Sequence, residues 1–384
     1  MIPYGKQDIN KADIDAVIEV LKSDFLTQGP KVPDFEKNLV EYTGSNHAVA
    51  VNSATSALHI ACLALGVGQG DIVWTSPITF VASSNCALYC GAEVDFVDID
   101  FASNNMCATA LQKKLEGARK EKRLPSVVIP VHMGGRSCEM EAIHKLSKEY
   151  GFKIIEDASH AIGGSYRTNK IGLCEFSDIT VFSFHPVKVI TTAEGGAALT
   201  NDKELYDKLI LLRSHGVTRE PGQMSGSSEG GWYYQQVELG FNYRMTDIQA
   251  ALGCSQIIRL DEFVSKRNEI AKTYHSGLSN LPLDLPKDSD NIYSSYHLYI
   301  VKLSESSKIN RLQLYTFLRD HGIGVNVHYI PVHLHPYYRD LGFSYNNFPR
   351  AEEYYSKAIS LPLYPNLKPV DQDYIIQTIS KAFA

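Results

Sequence analysis

Seven short apolar runs of the chain are rich in Val, Ile and Phe, and several are nearly continuous in apolar character rather than alternating: Ala48–Asn52, Asp71–Ser76, Glu93–Asp98, Ser126–His132, Lys153–Asp157, Thr180–Phe184 and Gly196–Thr200. A strand with one face in water alternates apolar and polar positions, whereas a strand covered on both faces does not, so these runs predict buried, mostly parallel strands. Between many of them lie stretches with apolar residues at helical spacing: Ser56–Leu65, Val81–Gly91, Ala108–Lys120 and Glu139–Tyr150. Such alternation predicts an α/β fold with a mostly parallel seven-stranded sheet. Beyond Thr200 the pattern predicts a helix over Asp202–His215, a Gly- and Ser-rich loop over Glu220–Gly231, and one long helix from Thr246 to Leu281, stopped by Pro282. The remainder reads as a smaller α+β unit: a strand near Tyr296–Lys302, a helix near Arg311–His321, a strand near Gly324–Tyr329 and two terminal helices. The expected division is therefore residues 1–245, an N-terminal segment and large domain, and residues 246–384, the long helix and a small C-terminal domain.

Composition narrows the partners. Hydrophobic residues make up 44% of the 384 positions and charged residues 21%, as in an ordinary globular enzyme. A formal net charge of −6 and the lack of a basic run argue against a nucleic-acid partner. No stretch approaches the ~20 apolar residues that span a bilayer. The first thirty positions lack the basic start and apolar stretch of a signal peptide, so a cytoplasmic location is expected. The seven cysteines are scattered without zinc-like spacing, which suits reduced thiols and no metal site.

Open α/β sheets bind ligands at the C-terminal ends of their strands, so the polar residues there are the informative ones. After the first run, Ser53-Ala54-Thr55 opens a helix. Ser53 can simply cap it, or free N–H groups and the Thr55 hydroxyl can hold a phosphate. Phe80, after the second run, is either core or a ring that stacks on a flat ligand. The fifth run ends in Glu156-Asp157, followed by His160. A carboxylate buried there needs a cationic partner, such as a protonated pyridine nitrogen. After the sixth run come Ser183 and Lys188, and then Glu194-Gly195-Gly196. Lys188 is either a solvated loop residue or an imine-forming amine, and Ser183 could add a hydroxyl to a phosphate site. Finally, Asn242 and Arg244 in Gly240–Met245 could be a turn cap and an exposed charge, or ligand contacts.

The order of these segments resembles the DegT-type sugar aminotransferases, a branch of the aspartate-aminotransferase-like (fold type I) pyridoxal-phosphate enzymes. The resemblance runs through Phe25–Pro30, Asn52–His59, Glu156-Asp157, Phe182–Lys188, Glu194–Gly196 and Gly240–Arg244, and so covers nearly the whole chain. It implies that Lys188 forms the Schiff base with pyridoxal 5'-phosphate and that Asp157 pairs with the pyridine nitrogen. It also implies that His160 lies near the ring hydroxyl, that Phe80 stacks on the ring, and that Ser53, Ala54, Thr55 and Ser183 hold the phosphate. Asn242 matches a position that reaches the phosphate from a neighbouring subunit, which implies a homodimer with shared sites. Ala54 stands where many relatives have Gly; it keeps the N–H free. Within the family, Ile2–Gly5, Phe25–Pro30 and His185–Lys188 are similar to the aminotransferases of pseudaminic acid synthesis, which implies transfer from L-glutamate to C4 of a UDP-linked 2-acetamido-2,6-dideoxy-4-ketohexose.

Tyr4, Thr27, His215, His328 and Tyr329 are candidate contacts for that sugar nucleotide, and Arg244 could anchor an anionic group. Three rival readings are weaker. A sugar dehydratase on this fold carries His in place of Lys188. A non-catalytic member of the family has no need of an imine lysine. A nucleotide-binding dehydrogenase would need a Gly-x-Gly-x-x-Gly turn, which is absent.

Overall fold

The computed structural model describes residues 1–287 and 289–384. All seven apolar runs become strands of one sheet: β1 (His47–Val51), β2 (Ile72–Thr75), β3 (Glu93–Phe96), β4 (Val127–Ile129), β5 (Lys153–Asp157), β6 (Ile179–Ser183) and β7 (Gly196–Thr200). Their order across the sheet is β1-β7-β6-β5-β4-β2-β3. Only β7 runs against its neighbours β1 and β6; the pairs from β6 through β3 are parallel. Reversal of β7 places its first residue, Gly196, beside the last residues of β1 and β6, Val51 and Ser183. The C-terminal ends of the six parallel strands β1–β6 and the Glu194–Gly196 turn thus share one edge. β4 is shorter than its apolar run because Pro130 has no N–H for the ladder, although its carbonyl still accepts from Asp157 at 2.9 Å.

Helices cover both faces, as continuous apolar strands require. They include α1 (Lys11–Leu21), α2 (Lys31–Thr43), α3 (Ala54–Ala64), α4 (Ala82–Tyr89), α5 (Ala108–Glu121), α6 (Met140–Tyr150) and α7 (Lys203–Arg213). α3 is apolar almost all round, with eight of its eleven residues buried, and it lies against the sheet in the largest core. α5 and α6 show the narrower stripe of half-exposed helices and close a separate core on the opposite side of β2 and β4.

The single long helix expected over Thr246–Leu281 is instead two, α8 (Asp247–Ile257) and α9 (Leu260–Leu278). Arg259, at φ −99° and ψ 7°, leaves the helical conformation at the junction. Its guanidinium bonds Asp8 at 2.9 Å and the fully buried Asp13 at 2.6 Å, and Gln256 also donates to Asp13 at 2.7 Å. Apolar spacing continues across the break, so periodicity could not show it.

The C-terminal unit is a three-stranded antiparallel sheet of β8 (Leu283–Asp284), β9 (Tyr299–Leu303) and β10 (Ala358–Leu361), with β9 central. It is accompanied by α10 (Arg311–Asp320), α12 (Pro349–Lys357) and α13 (Pro369–Ala382), while the short α11 (Pro336–Asp340) places Tyr338 against α4 of the large domain. Two expectations change here. Gly324–Tyr329 is not a strand: it is held by isolated bridges, Ile323 to Ile2 and Asn326 to Ser360. The tail contains β10 between its helices as well as α11, rather than two helices alone. Residues 2–4 lace into this unit, with Ile2 N–H donating to Gly322 at 2.8 Å and Tyr4 accepting from Leu363 at 3.0 Å. Among the described residues, no helix is long and apolar enough to cross a membrane.

Candidate active site

The shared strand edge opens into a cavity of about 510 Å3 between the large sheet and the 326–329 segment. Tyr4, Ser53, Ala54, Thr55, Phe80, Asp157, His160, Ser183, Lys188, His328 and Tyr329 all line it. A wider groove of about 750 Å3 follows the free edge of β3, where Glu93 pairs with Arg123 at 2.7 Å and Asp95 with Lys114 at 2.6 Å.

One wall is the start of α3. Ser53 caps the helix, its hydroxyl accepting from Ser56 N–H at 3.1 Å. Capping leaves the N–H groups of Ala54 and Thr55 with no acceptor inside the helix, and the positive end of the helix faces the cavity. A Cβ added to Gly196 would stand 2.4 Å from Ala54 N, so β7 can pass behind this turn only as glycine. The Ser53 side chain thus makes the cap, and Ala54, Thr55 and Ser183 line the cavity beside it.

Asp157 ends β5 and is 4% exposed. Its Oδ2 accepts from Ser83 Oγ at 2.6 Å and its Oδ1 from Ser159 N–H at 3.1 Å. Neighbouring Glu156 points to the other face of the sheet, where His132 bonds it at 2.7 Å. Burial would raise the Glu156 carboxyl, but hydrogen bonds from His132, Ser177 and Thr180 outweigh it and hold it below its usual value. One carboxylate of the pair is therefore neutralised within the chain. The other faces the cavity, with no ion-pair partner among the described residues.

Lys188 follows β6 after the His185–Val187 turn, where its N–H donates to the His185 carbonyl at 2.9 Å. Burial lowers its amine to about 8, against the opposing pull of the Asp157 carboxylate. Lys188 is half-buried and lines the cavity rather than standing out in solvent. Phe80 is not core either: its ring is 60% exposed, on the cavity wall, with its centroid 6.3 Å from that of Tyr329.

Three histidines surround this lysine. Nδ1 of His160 accepts from Gly134 N–H at 3.3 Å, which in the neutral ring leaves the proton on Nε2, able to donate to the Tyr329 hydroxyl at 3.2 Å. Burial, then the nearby Lys188 and His328, hold His160 well below its ordinary value. Burial and Lys188 likewise take His328 down to about 4. His297, 5% exposed, stacks its ring 4.4 Å from that of His160. Its Nδ1 has no hydrogen-bond partner among the described residues. Tyr4 completes the wall, with its ring 5.5 Å from that of His328.

Four residues expected at the site do not line this cavity. Thr27 is exposed and pairs its backbone with Thr246, and His215 is exposed at φ 62°. Asn242 is exposed and pairs with Ser214, while the half-buried Arg244 pairs with Val51. Conversely, Ser83 and His297 were not singled out from the sequence. Ser83 follows Phe80 by three positions, so one helical turn after the ring could have pointed to it. His297 lies in a buried strand approach with no local signal. Among the described residues, no cluster could hold a metal ion.

The donor set fits pyridoxal phosphate. The α3 N-terminus suits the phosphate, the unpaired Asp157 suits a cationic ring nitrogen, exposed Phe80 suits the ring face, and a lysine lowered to about 8 suits an aldehyde.

Comparison with known proteins agrees. The profile of the DegT/DnrJ/EryC1/StrS aminotransferase family matches residues 7–380. The chain is 40% identical over 382 residues to the spore coat polysaccharide biosynthesis protein SpsC of Bacillus subtilis, covering 98% of this chain and 96% of that one. It is also 40% identical over 381 residues to the UDP-4-amino-4,6-dideoxy-N-acetyl-beta-L-altrosamine transaminase of Campylobacter jejuni, covering 99% and 96%. Among solved structures, Helicobacter pylori PseC, an aminotransferase involved in the biosynthesis of pseudoaminic acid, superposes with a TM-score of 0.90 at 34% identity, covering 100% of this chain and 99% of that one. The PLP form of Spr1654 from Streptococcus pneumoniae gives 0.89 at 32% identity, covering 99% and 98%. By fold, family match and these relatives, the chain belongs to the DegT/DnrJ/EryC1/StrS aminotransferase family and is a pyridoxal-phosphate-dependent sugar aminotransferase.

Proposed function

We propose that the protein transfers the amino group of L-glutamate to C4 of a UDP-linked 2-acetamido-2,6-dideoxy-4-ketohexose, the amination step of pseudaminic acid synthesis, and that it does so as a cytoplasmic homodimer. The observation that carries this reading is the convergence of Lys188, Asp157, Phe80 and the α3 N-terminus on one cavity. When bound, pyridoxal phosphate supplies an aldehyde that bonds covalently to amines and a ring that draws electrons from the adjacent carbon.

Each residue then has a task set by its position. The N–H groups of Ala54 and Thr55, with the Thr55 and Ser183 hydroxyls, anchor the phosphate. Phe80 covers one face of the ring, and Asp157 holds a proton on the ring nitrogen. Lys188 Nζ, lowered to about 8, accepts the α-proton of glutamate and, in the second half of the cycle, returns a proton to the sugar carbon that takes the amine. One cavity serves both halves, so donor and acceptor bind in turn and kinetics are ping-pong. Neutral His160, His328 and Tyr329 offer hydrogen bonds to hydroxyls without adding charge beside the lysine. Asn242 and Arg244, outside the cavity of their own chain, serve the partner's site, and Tyr4, Thr27 and His215 meet the sugar nucleotide.

The names of the Campylobacter and Helicobacter relatives support the UDP-linked substrate. SpsC, equally identical, favours a second reading, a different nucleotide-linked keto-sugar aminated at C3 or C4. Incubating the protein with glutamate and a panel of UDP- and dTDP-linked keto-sugars, with products read by mass and NMR, separates the two. The expected product is the C4 amine of the UDP sugar; amination confined to dTDP sugars overturns the first reading. Borohydride treatment should fix the cofactor to Lys188, and a tag on another lysine would refute the site itself.

A further inference from the structure

We propose that Ser83 is a positioning residue for Asp157: its hydroxyl fixes the carboxylate that faces the ring nitrogen and takes up part of its charge. The inference rests on the site reading above and adds a member to it. Ser83 is 1% exposed and lies in the first turn of α4. Its Oγ is 2.6 Å from Asp157 Oδ2 and 3.4 Å from the Phe80 carbonyl, so the single hydroxyl proton goes to the carboxylate. Thr79 Oγ1, 3% exposed, lies 2.6 Å from the same Ser83 oxygen. An ionised carboxylate only accepts, which sets the direction of the whole chain: Thr79 donates to Ser83, and Ser83 donates to Asp157. Each bond in such a buried series polarises the next.

Two consequences follow from this geometry. Oδ2 is held by Ser83 and Oδ1 by the Ser159 N–H, so the plane of the carboxyl is fixed from both sides. Removing Ser83 would leave a buried oxygen unpaired and free the group to rotate. Moreover, Phe80 and Ser83 are three positions apart on one turn, so a single segment carries both the ring that covers the cofactor and the hydroxyl that sets its acid. The other ionisable groups whose charges act on or from Asp157 are Lys188 and Tyr329.

The test is a pH titration of the visible absorbance of bound cofactor in Ser83→Ala, Ser83→Thr and Thr79→Val. Loss of the donor concentrates negative charge on Asp157 and stabilises the protonated cofactor. Ser83→Ala should therefore move the midpoint up by roughly half a pH unit and slow the glutamate half-reaction about tenfold. Thr79→Val should move the midpoint less, in the same direction, and Ser83→Thr, which keeps a hydroxyl, should restore it. An unshifted midpoint in both Ser83→Ala and Thr79→Val overturns the proposal, as does an equal shift in Ser83→Thr. If Ser83→Ala does not fold, Thr79→Val alone decides. Failure of the wild-type protein to show the absorbance band at all would instead refute the underlying site, a distinct outcome.

Discussion

Lys188 and Asp157 lie in one cavity, and their properties come from what surrounds them more than from what they are. Lys188 is lowered to about 8 by burial, against the opposing pull of Asp157, and the imidazoles beside it are themselves held low by burial. Raising the pH through that value frees the amine. The rate at which the apoprotein takes up pyridoxal phosphate should accordingly rise about tenfold per pH unit below 8 and level off above it, as followed by absorbance in stopped flow. A rate flat from pH 6.5 to 9 would mean that the amine is not the titrating group. Lys188→Ala should lose the imine band and turnover altogether, and Asp157→Asn should fold normally but react at least about a hundredfold more slowly with glutamate. Both could be singled out as candidates in the sequence, Asp157 because it ends an apolar strand and Lys188 because it follows one just past its end. Ser83 was not, since its partner lies 74 positions away and only the folded sheet brings the two together.

The elements show where reading by periodicity succeeds and where it stops. Strands buried on both faces leave an unbroken apolar signature, and all seven runs are found in the sheet. The α8–α9 break leaves none, because it is made by polar contacts to residues about 250 positions earlier. Asp13 on α1 accepts from Ser255, Gln256 and Arg259 while fully buried, so this ion pair fixes how α1 lies against the two helices. Removing one side leaves an uncompensated buried charge. Arg259→Ala should therefore destabilise the fold by about 3 kcal/mol, read as a lower urea midpoint with unchanged slope. Asp13→Asn, which keeps the shape and loses the charge, should cost less with Arg259→Ala already present than alone. Additive losses would show that the two side chains do not act as a pair. The Gly324–Tyr329 segment was misread for a related reason. Its apolar residues are buried by the N-terminal segment and by β10, so it needs no continuous ladder of its own.

At the scale of the molecule, exposed groups say as much as buried ones. Asn242 and Arg244 belong to the pattern that identifies the family, yet Asn242 stands exposed and neither side chain lines the cavity of its own chain. Trp232 at 73% and Leu239 at 77% exposure lie in the segment just before them, and α1 separately shows Ile14 and Ile18 beside an apolar hollow of about 370 Å3. Large exposed apolar groups of this kind suit surfaces covered by a second copy. In a two-fold dimer that contributes Asn242 across the interface, the Lys188 and Asn242 of one site come from different chains. Lys188→Ala and Asn242→Ala dimers should then each be nearly inactive alone. When the two are unfolded and reassembled together, half the dimers are mixed. In each mixed dimer one site has lost both residues and the other has kept both. Activity should return to about a quarter of that of the wild type reassembled the same way. If Asn242 acted on the cavity of its own chain, every site in the mixture would still lack one residue, and no activity would return.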